Sequence, residues 1–390
     1  MNNVTFTIQS GGLGRPLSGE DHVTGLVTYI ANADIPSGFT TSDRIKVVYS
    51  LQDAIDLGIT VDASIVETRV LHYNLSELFR MNKKAIVFVG IYDNDPIDYS
   101  VIETVQNFAD GKIRQFGVVA HTETYESGTI TALNTSCANM FEVFKPAIAI
   151  LGVDTLATAL ADLPDLRALG KKYVSLVVGQ DGASVGSELS TAVGTSVPNV
   201  GAVLGAVSLS KVHENIGWIS KFNFVTASEL DVPALGNGAL VKNQTESLLD
   251  ALNTKGLIFF KKHIGIAGTY VNDSHTAIGA SDDFAYLETN RTIQKATRGI
   301  RTFLLPDLSS PLYLNGDGTM TEPTVGHLKN NASRALEQMQ RDGEISAFEV
   351  NINPDQNVAS TSEVVVGISV VPVGVARQIS VNIGFVANIQ

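Results

Sequence analysis

The chain holds a single cysteine, Cys137, in 390 residues. One thiol excludes an internal disulfide framework and a cysteine-rich zinc site, and it reads as a small buried hydrophobe. Positive charge is also scarce: 27 Lys and Arg stand against 40 Asp and Glu, a formal net charge of -13. A general nucleic-acid binder, which needs a basic face for phosphates, is excluded, whereas a local basic patch meeting an acidic partner is not. No apolar run approaches the ~20 residues of a membrane span. The richest stretch, 197–209, predicts a buried helix, and no direct membrane insertion is expected. Residues 1–10 lack the basic start and apolar core of a secretory signal, so the expectation is a soluble protein that leaves a cell, if at all, without one.

Reactive chemistry is thin as well. The chain has no P-loop spelling, and no G-x-G-x-x-G at a strand-to-helix junction. Gly11, Gly12 and Gly14 precede Pro16, which favours an extended linker over a phosphate-cradling helix start. Asp93, Asn94 and Asp95 look like a calcium loop, but Asp98 stands where the required glycine should be. His72, His121 and His275 lack helical partners and cysteine company, and are expected at the surface or in satisfied core positions. One pattern spells a nucleophile elbow, Gly182-Ala183-Ser184-Val185-Gly186. Gln180 and Asp181 separate it from the preceding predicted strand, and with 34 glycines so loose a pattern arises by chance. His213 and His263 lie downstream with nothing to mark a base. The expectation is that Ser184 sits in a flexible loop and does no chemistry. No catalytic residue, cofactor or metal is expected, and no enzyme.

What the chain does have is packing material: 44% hydrophobic against 17% charged residues, a globular composition long enough for two domains. From about residue 23 to 255, short apolar runs alternate with helical patterns. Runs at 85–90, 115–120, 147–152 and 173–179 read as buried strands, with helices at about 64–81, 99–109, 130–143 and 156–169. This implies βαβ units and a mostly parallel sheet covered on both faces. The texture changes near Gly256. Paired strands are expected at 257–260 and 265–271, long helices at 282–302 and 323–341, and strands at 344–353 and 363–373. This second part is α+β.

The two ends carry the least ordinary pattern. In 378–390, Ile379, Val381, Ile383, Phe385, Ala387 and Ile389 alternate with polar or small residues, and only Val386 breaks the period of two. Val4, Phe6 and Ile8 alternate likewise with Thr5, Thr7 and Gln9. Termini usually fray unless something holds them. Strand-forming arms at both ends are read as connectors between copies, pairing by β-augmentation with a neighbour's sheet edge. Thirteen or so residues reach roughly 40 Å at ~3.3 Å each. Contacts of this heterologous kind do not close on themselves and generate a helical filament or stacked rings.

The C-terminal third resembles contractile phage tail sheath proteins, including the sheaths of phage-tail-like contractile injection systems. The resemblance rests on residues 262–307, with the acidic pair Asp282 and Asp283 opening a helix and Arg291 in its basic run. It rests also on Gly343-Glu344-Ile345-Ser346, on Val371-Pro372-Val373-Gly374 and on the terminal arm. Near the front, Gly14-Arg15-Pro16-Leu17-Ser18-Gly19 is similar to the stretch that precedes entry into the outer domain of a sheath.

The resemblance implies a layout. An outer α/β domain (23–255) is inserted into an inner α+β core domain built from both ends (1–22 and 256–375), with a C-terminal β-strand arm at 376–390. It implies a homo-oligomeric helical sheath around an inner tail tube protein, with baseplate and tail terminator proteins as further partners. The place would be a virion tail or phage-like contractile particle, assembled in the host bacterial cytoplasm. Lys329, Arg334 and Arg341 on the helix at 323–341 are the expected tube contact, because a tube that must be released favours polar over apolar contact. The rivals are another tail or baseplate structural protein, or an α/β hydrolase or small-molecule-binding protein. The rival enzyme leaves the arms unexplained.

Overall fold

A computed structural model of the chain describes residues 20–225 and 229–385. Its centre is a six-stranded sheet. The strands are β1 (Val23–Tyr29), β2 (Ile45–Val48), β3 (Ile86–Tyr92), β4 (Gln115–Thr124), β5 (Ile148–Asp154) and β6 (Val174–Leu176), in the order β2-β3-β1-β4-β5-β6. Every neighbouring pair is parallel except the edge pair β2–β3. Parallel strands need crossovers that leave helices on the faces. Here α1 (Leu51–Asp56), α2 (Val66–Met81), α5 (Val185–Val193) and α6 (Val200–Leu209) cover one face, and α3 (Val101–Phe108) and α4 (Ser127–Glu142) the other. Alternate strand residues therefore enter different cores. Ile148 and Ile150 pack with the α2–α6 side, and Ala149, Leu151 and Val153 with the α3–α4 side. The α6 helix is apolar nearly all round and lies against α2 so closely that a Cβ at Gly201 would fall 2.0 Å from the Asn74 carbonyl oxygen.

Three local expectations are corrected. The apolar run 173–179 is not one strand: β6 ends at Leu176, and β7 (Gly179–Asp181) pairs with β8 (Pro233–Leu235) in a separate small sheet. The stretch 156–169 holds no α-helix, only 3-10 turns at Leu160–Asp162 and Leu166–Ala168. Pro164 sits between them, and a proline lacks the amide and the room that a continuous helix requires. Nor do Asp282 and Asp283 open the long helix. Asp282 accepts the Phe284 amide in a turn, and the helix begins at Leu287 after Tyr286.

Residues 257–277 complete the sheet lobe. After α7 (Glu246–Thr254), the Ile258 amide donates to the Leu176 carbonyl and its own carbonyl accepts from Val178, so this segment runs along β6. The short antiparallel pair β9 (Phe260–Lys261) and β10 (Tyr270–Val271) follows. Leu257, Phe259 and Ala277 share one core with the sheet, and Phe260 and Val271 the other.

A second lobe has its own small cores. In it α8 (Leu287–Leu304) packs on α9 (Glu322–Arg341), and β11 (Ile345–Asn351) pairs antiparallel with β12 (Gly367–Pro372). Ala296, Ala332, Leu336, Met339, Ile345 and Val350 make one cluster, and Met320, Leu328 and Ile352 another. The two helices nearly touch where Gly299 faces Ala335: a Cβ on Gly299 would lie 2.7 Å from that of Ala335. The α8 helix also reaches back to the sheet lobe. Buried Arg291 donates to the Ser210 hydroxyl at 2.6 Å and to the Lys211 carbonyl at 3.2 Å.

Candidate assembly surface

The β11–β12 ribbon turns one face onto α8 and α9 and the other outward. Ile345 and Val350 are buried, whereas Ser346, Ala347 and Glu349 are exposed. A register shift between Ile345 and Ala347 bends the ribbon at its start. Among the described residues neither strand has a third partner. Both outer edges thus carry backbone amides and carbonyls free to bond an added strand.

Just beyond β12, residues 373–385 make no backbone ladder among the described residues. Ile379, Val381, Ile383 and Phe385 are 80%, 77%, 96% and 110% exposed. The described part of the apolar face that the alternation predicts therefore stands in solvent. Isolated exposed hydrophobes are ordinary, but a row of four on one strand face is a surface waiting for a cover. Ile389, like Val4, Phe6 and Ile8 of the front arm, lies outside the described residues.

The roots of both arms are tied to α8. At the front, Glu20 pairs with Arg114, and the Asp21 carboxylate accepts Lys295 Nζ at 2.8 Å, with Arg298 at 3.6 Å. Lys295 also donates to Glu344, the residue before β11, at 2.6 Å. Burial acts to raise the Asp21 pKa, but Lys295, Arg291 and Arg298 together outweigh it and hold the carboxyl below its ordinary range. At the back, Arg377 Nε donates to Asp273 at 2.8 Å, a second guanidinium nitrogen donates to Glu288, and the group lies 3.3 Å above the centre of the Tyr286 ring. The ties themselves escaped the sequence reading. Two signals were there: the acidic pair at 20–21, and Arg377 as the last charge before a wholly uncharged tail.

The expected tube-contact residues fall on the open side of α9. Leu328, Ala332, Ala335, Leu336 and Met339 are buried, while Lys329, Arg334 and Arg341 are exposed. Arg341 reaches Gln338 at 3.3 Å, and Arg334 acts on Asp307.

The elbow-like pattern opens in a short connection, 182–184, and continues into a helix. It joins β7 directly to α5, with Ser184 at the helix start. Asp181 accepts the amides of Ala183 and Ser184, and Ser184 has extended backbone, φ -123°, in place of an elbow's strained turn. Cys137 is fully buried, and burial raises its thiol pKa. His275 is a satisfied core histidine. Arg167 donates to its Nδ1, so the proton is on Nε2, which donates to Asn253 at 2.9 Å. His121 departs from expectation. It is buried with neither ring nitrogen bonded, and burial lowers its pKa to about 4.

Family models cover the sequence in two pieces. That for the DUF2586 N-terminal domain matches residues 1–275, and that for the DUF2586 C-terminal domain matches 283–390. The chain belongs to the DUF2586 family. No curated protein matches this DUF2586 member in sequence. Solved structures do match it in fold over nearly its full length. It is 14% identical to a chain of the anti-feeding prophage helical sheath in its contracted state, covering 98% of each chain with a TM-score of 0.64. It is 12% identical to a chain of the contracted sheath complex of the extracellular contractile injection system PVC, covering 98% of this chain and 97% of that one, at a TM-score of 0.62. A sheath tail protein from Desulfitobacterium hafniense is 10% identical, with 95% and 100% covered and a TM-score of 0.55. This DUF2586 chain thus has the mixed α/β fold of contractile-sheath proteins. Among its described residues no helix is long and apolar enough to cross a membrane.

Proposed function

We propose that this chain is the structural subunit of a contractile sheath. It polymerises helically around an inner tube by strand exchange between copies, and contraction of the polymer drives the tube through a target envelope. The observation that carries this reading is the pairing of needs on one molecule: a two-stranded sheet with no third strand among the described residues, and an arm whose described apolar residues, Ile379, Val381, Ile383 and Phe385, are exposed. The sheath fold supports it. In this reading residues 1–22 and 256–375 form the inner domain, with the segment 257–277 packed along the sheet of the outer domain (23–255), and the open side of α9 with Lys329, Arg334 and Arg341 faces the tube. Baseplate and terminator proteins cap the polymer, and the particle is a phage tail or a related contractile device. No step consumes a nucleotide; the energy lies in the difference between extended and contracted packings.

Magnitudes say how such arms must work. Burying four exposed apolar side chains yields on the order of 6–12 kcal/mol at ~1.5–3 each. Ordering the backbone of the eight residues 378–385 costs on the order of 8–16 kcal/mol at ~1–2 each. One arm alone is therefore near balance, and a stable polymer needs ladder bonds, two arms per copy and roots fixed in advance.

Electron microscopy of the concentrated protein tests the reading. Tubes or stacked rings are expected from the full chain. Removing residues 378–390 should leave a folded protein with an unchanged melting temperature that forms neither. Discrete particles from the full chain at every concentration, or unfolding of the truncated one, would refute it.

A further inference from the structure

Arg377 is where a chain that is otherwise loose becomes fixed. From Val373 to Phe385 no backbone hydrogen bond is made among the described residues, and the strongest side-chain attachment of this stretch is the Arg377 guanidinium. Its receptor is built into the body. Asp273 and Glu288 are buried carboxylates, held in place by Asn215, whose side-chain amide donates to Asp273 at 2.6 Å and to Glu288 at 3.3 Å. Ser274 adds its amide to Asp273 at 2.8 Å and its hydroxyl to Glu288. Tyr286 supplies the floor under the guanidinium. Two buried carboxylates that share Asn215 are stabilised by a cation, and among the described residues the arm provides the one bonded to both. A planar guanidinium suits this receptor because it can serve two acceptors and stack on a ring at once, which an ammonium cannot.

We infer that Arg377 is the positioning residue of the C-terminal arm: seated on Asp273, Glu288 and Tyr286, it fixes the direction in which residues 378–385 leave the body. Its consequence for assembly rests on the sheath reading above. With one arm near thermodynamic balance, an arm that leaves in the right direction loses less freedom on docking than one that swings freely.

The test uses the full chain with spin labels at Ser380→Cys, on the arm, and Asn330→Cys, on the exposed side of α9; buried Cys137 does not compete. Pulsed EPR on the dilute protein is expected to give one narrow distance distribution. Arg377→Ala should broaden it severely, and Arg377→Lys should restore it in part. Without labels, Arg377→Ala should raise the critical concentration for assembly about tenfold. If Arg377→Ala alone does not fold, the combination with Asp273→Asn and Glu288→Gln, which removes the orphaned carboxylates, carries the same measurement. A broad distribution in the unsubstituted protein, or an equally narrow one in Arg377→Ala, overturns the inference. So does assembly of Arg377→Ala at the normal concentration. A chain that shows the narrow-to-broad change but never assembles refutes the sheath reading and leaves Arg377 its role.

Discussion

Asp21 and Lys295 lie 274 positions apart in the chain and 2.8 Å apart in the structure. Their pair joins the root of the front arm to α8, and Lys295 extends the connection to Glu344 at the start of β11. Replacing Lys295 by Met should destabilise the protein by about 2–4 kcal/mol, because it strands the buried Glu344 carboxylate and leaves Asp21 only the longer contact to Arg298. Lys295→Arg should recover most of that. Urea midpoints report both. Since Lys295 depresses the Asp21 pKa, the contribution of the pair is complete above the ordinary carboxylate range and fades as pH falls through it.

Gly299 sets how closely α8 and α9 approach. A valine there would push into Ala335 and cost roughly 1–3 kcal/mol through overpacking. Thermal melts should show Gly299→Val well below the parent. Combining it with Ala335→Gly should return part of the loss, since the contact is mutual.

His121 makes the sheet lobe sensitive to acid. Its folded pKa of about 4 lies below the ordinary value near 6.5, so the unfolded chain binds a proton more readily than the native one. The stability it allows is complete above pH 6.5 and is lost as pH falls toward 4, at most about 3 kcal/mol. His275, whose pKa burial also lowers, adds in the same direction. Chemical denaturation at pH 4.5 and 7 should show a smaller difference in His121→Phe than in the parent. An unchanged difference would place the sensitivity elsewhere.

If the chain is a sheath subunit, Lys329→Glu combined with Arg334→Glu should weaken co-sedimentation with an inner tube while leaving sheath-only polymers intact. The parent contact should loosen as salt rises, since exposed charges are screened within ~10 Å at 0.1 M salt. Polymers that fail without tube present would show that these residues serve copies of this chain and not the tube.

Much of the architecture was legible because burial leaves periodic marks. The runs at 85–90, 115–120 and 147–152 became β3, β4 and β5, and the helices at 64–81 and 323–341 fell within two residues of α2 and α9. The central strand β1 escaped because Thr24, Gly25 and Thr28 interrupt its apolar run. Those threonines are tolerated inside by long-range bonds, Gln115 Nε2 to Thr24 at 2.8 Å and Thr28 to the Val119 carbonyl at 3.3 Å, which no local window contains. The same limit hid the receptor for Arg377, assembled from residues 215, 273, 286 and 288. Periodicity shows which face needs covering; it does not show which distant charge will meet which.

The rooting of both arms on α8 has a mechanical consequence. Glu288, which receives Arg377, and Lys295, which receives Asp21, are seven residues apart on that helix, close to two turns or ~10 Å. In a lattice linked through its arms, tension entering a copy by one end leaves by the other across that short rod. The sheet lobe meets that line only at its margin, through Arg114, Asp273 and the start of β1. Its loops away from those points would be free to lengthen, shed or be redecorated while the tensile thread through the polymer stays the same.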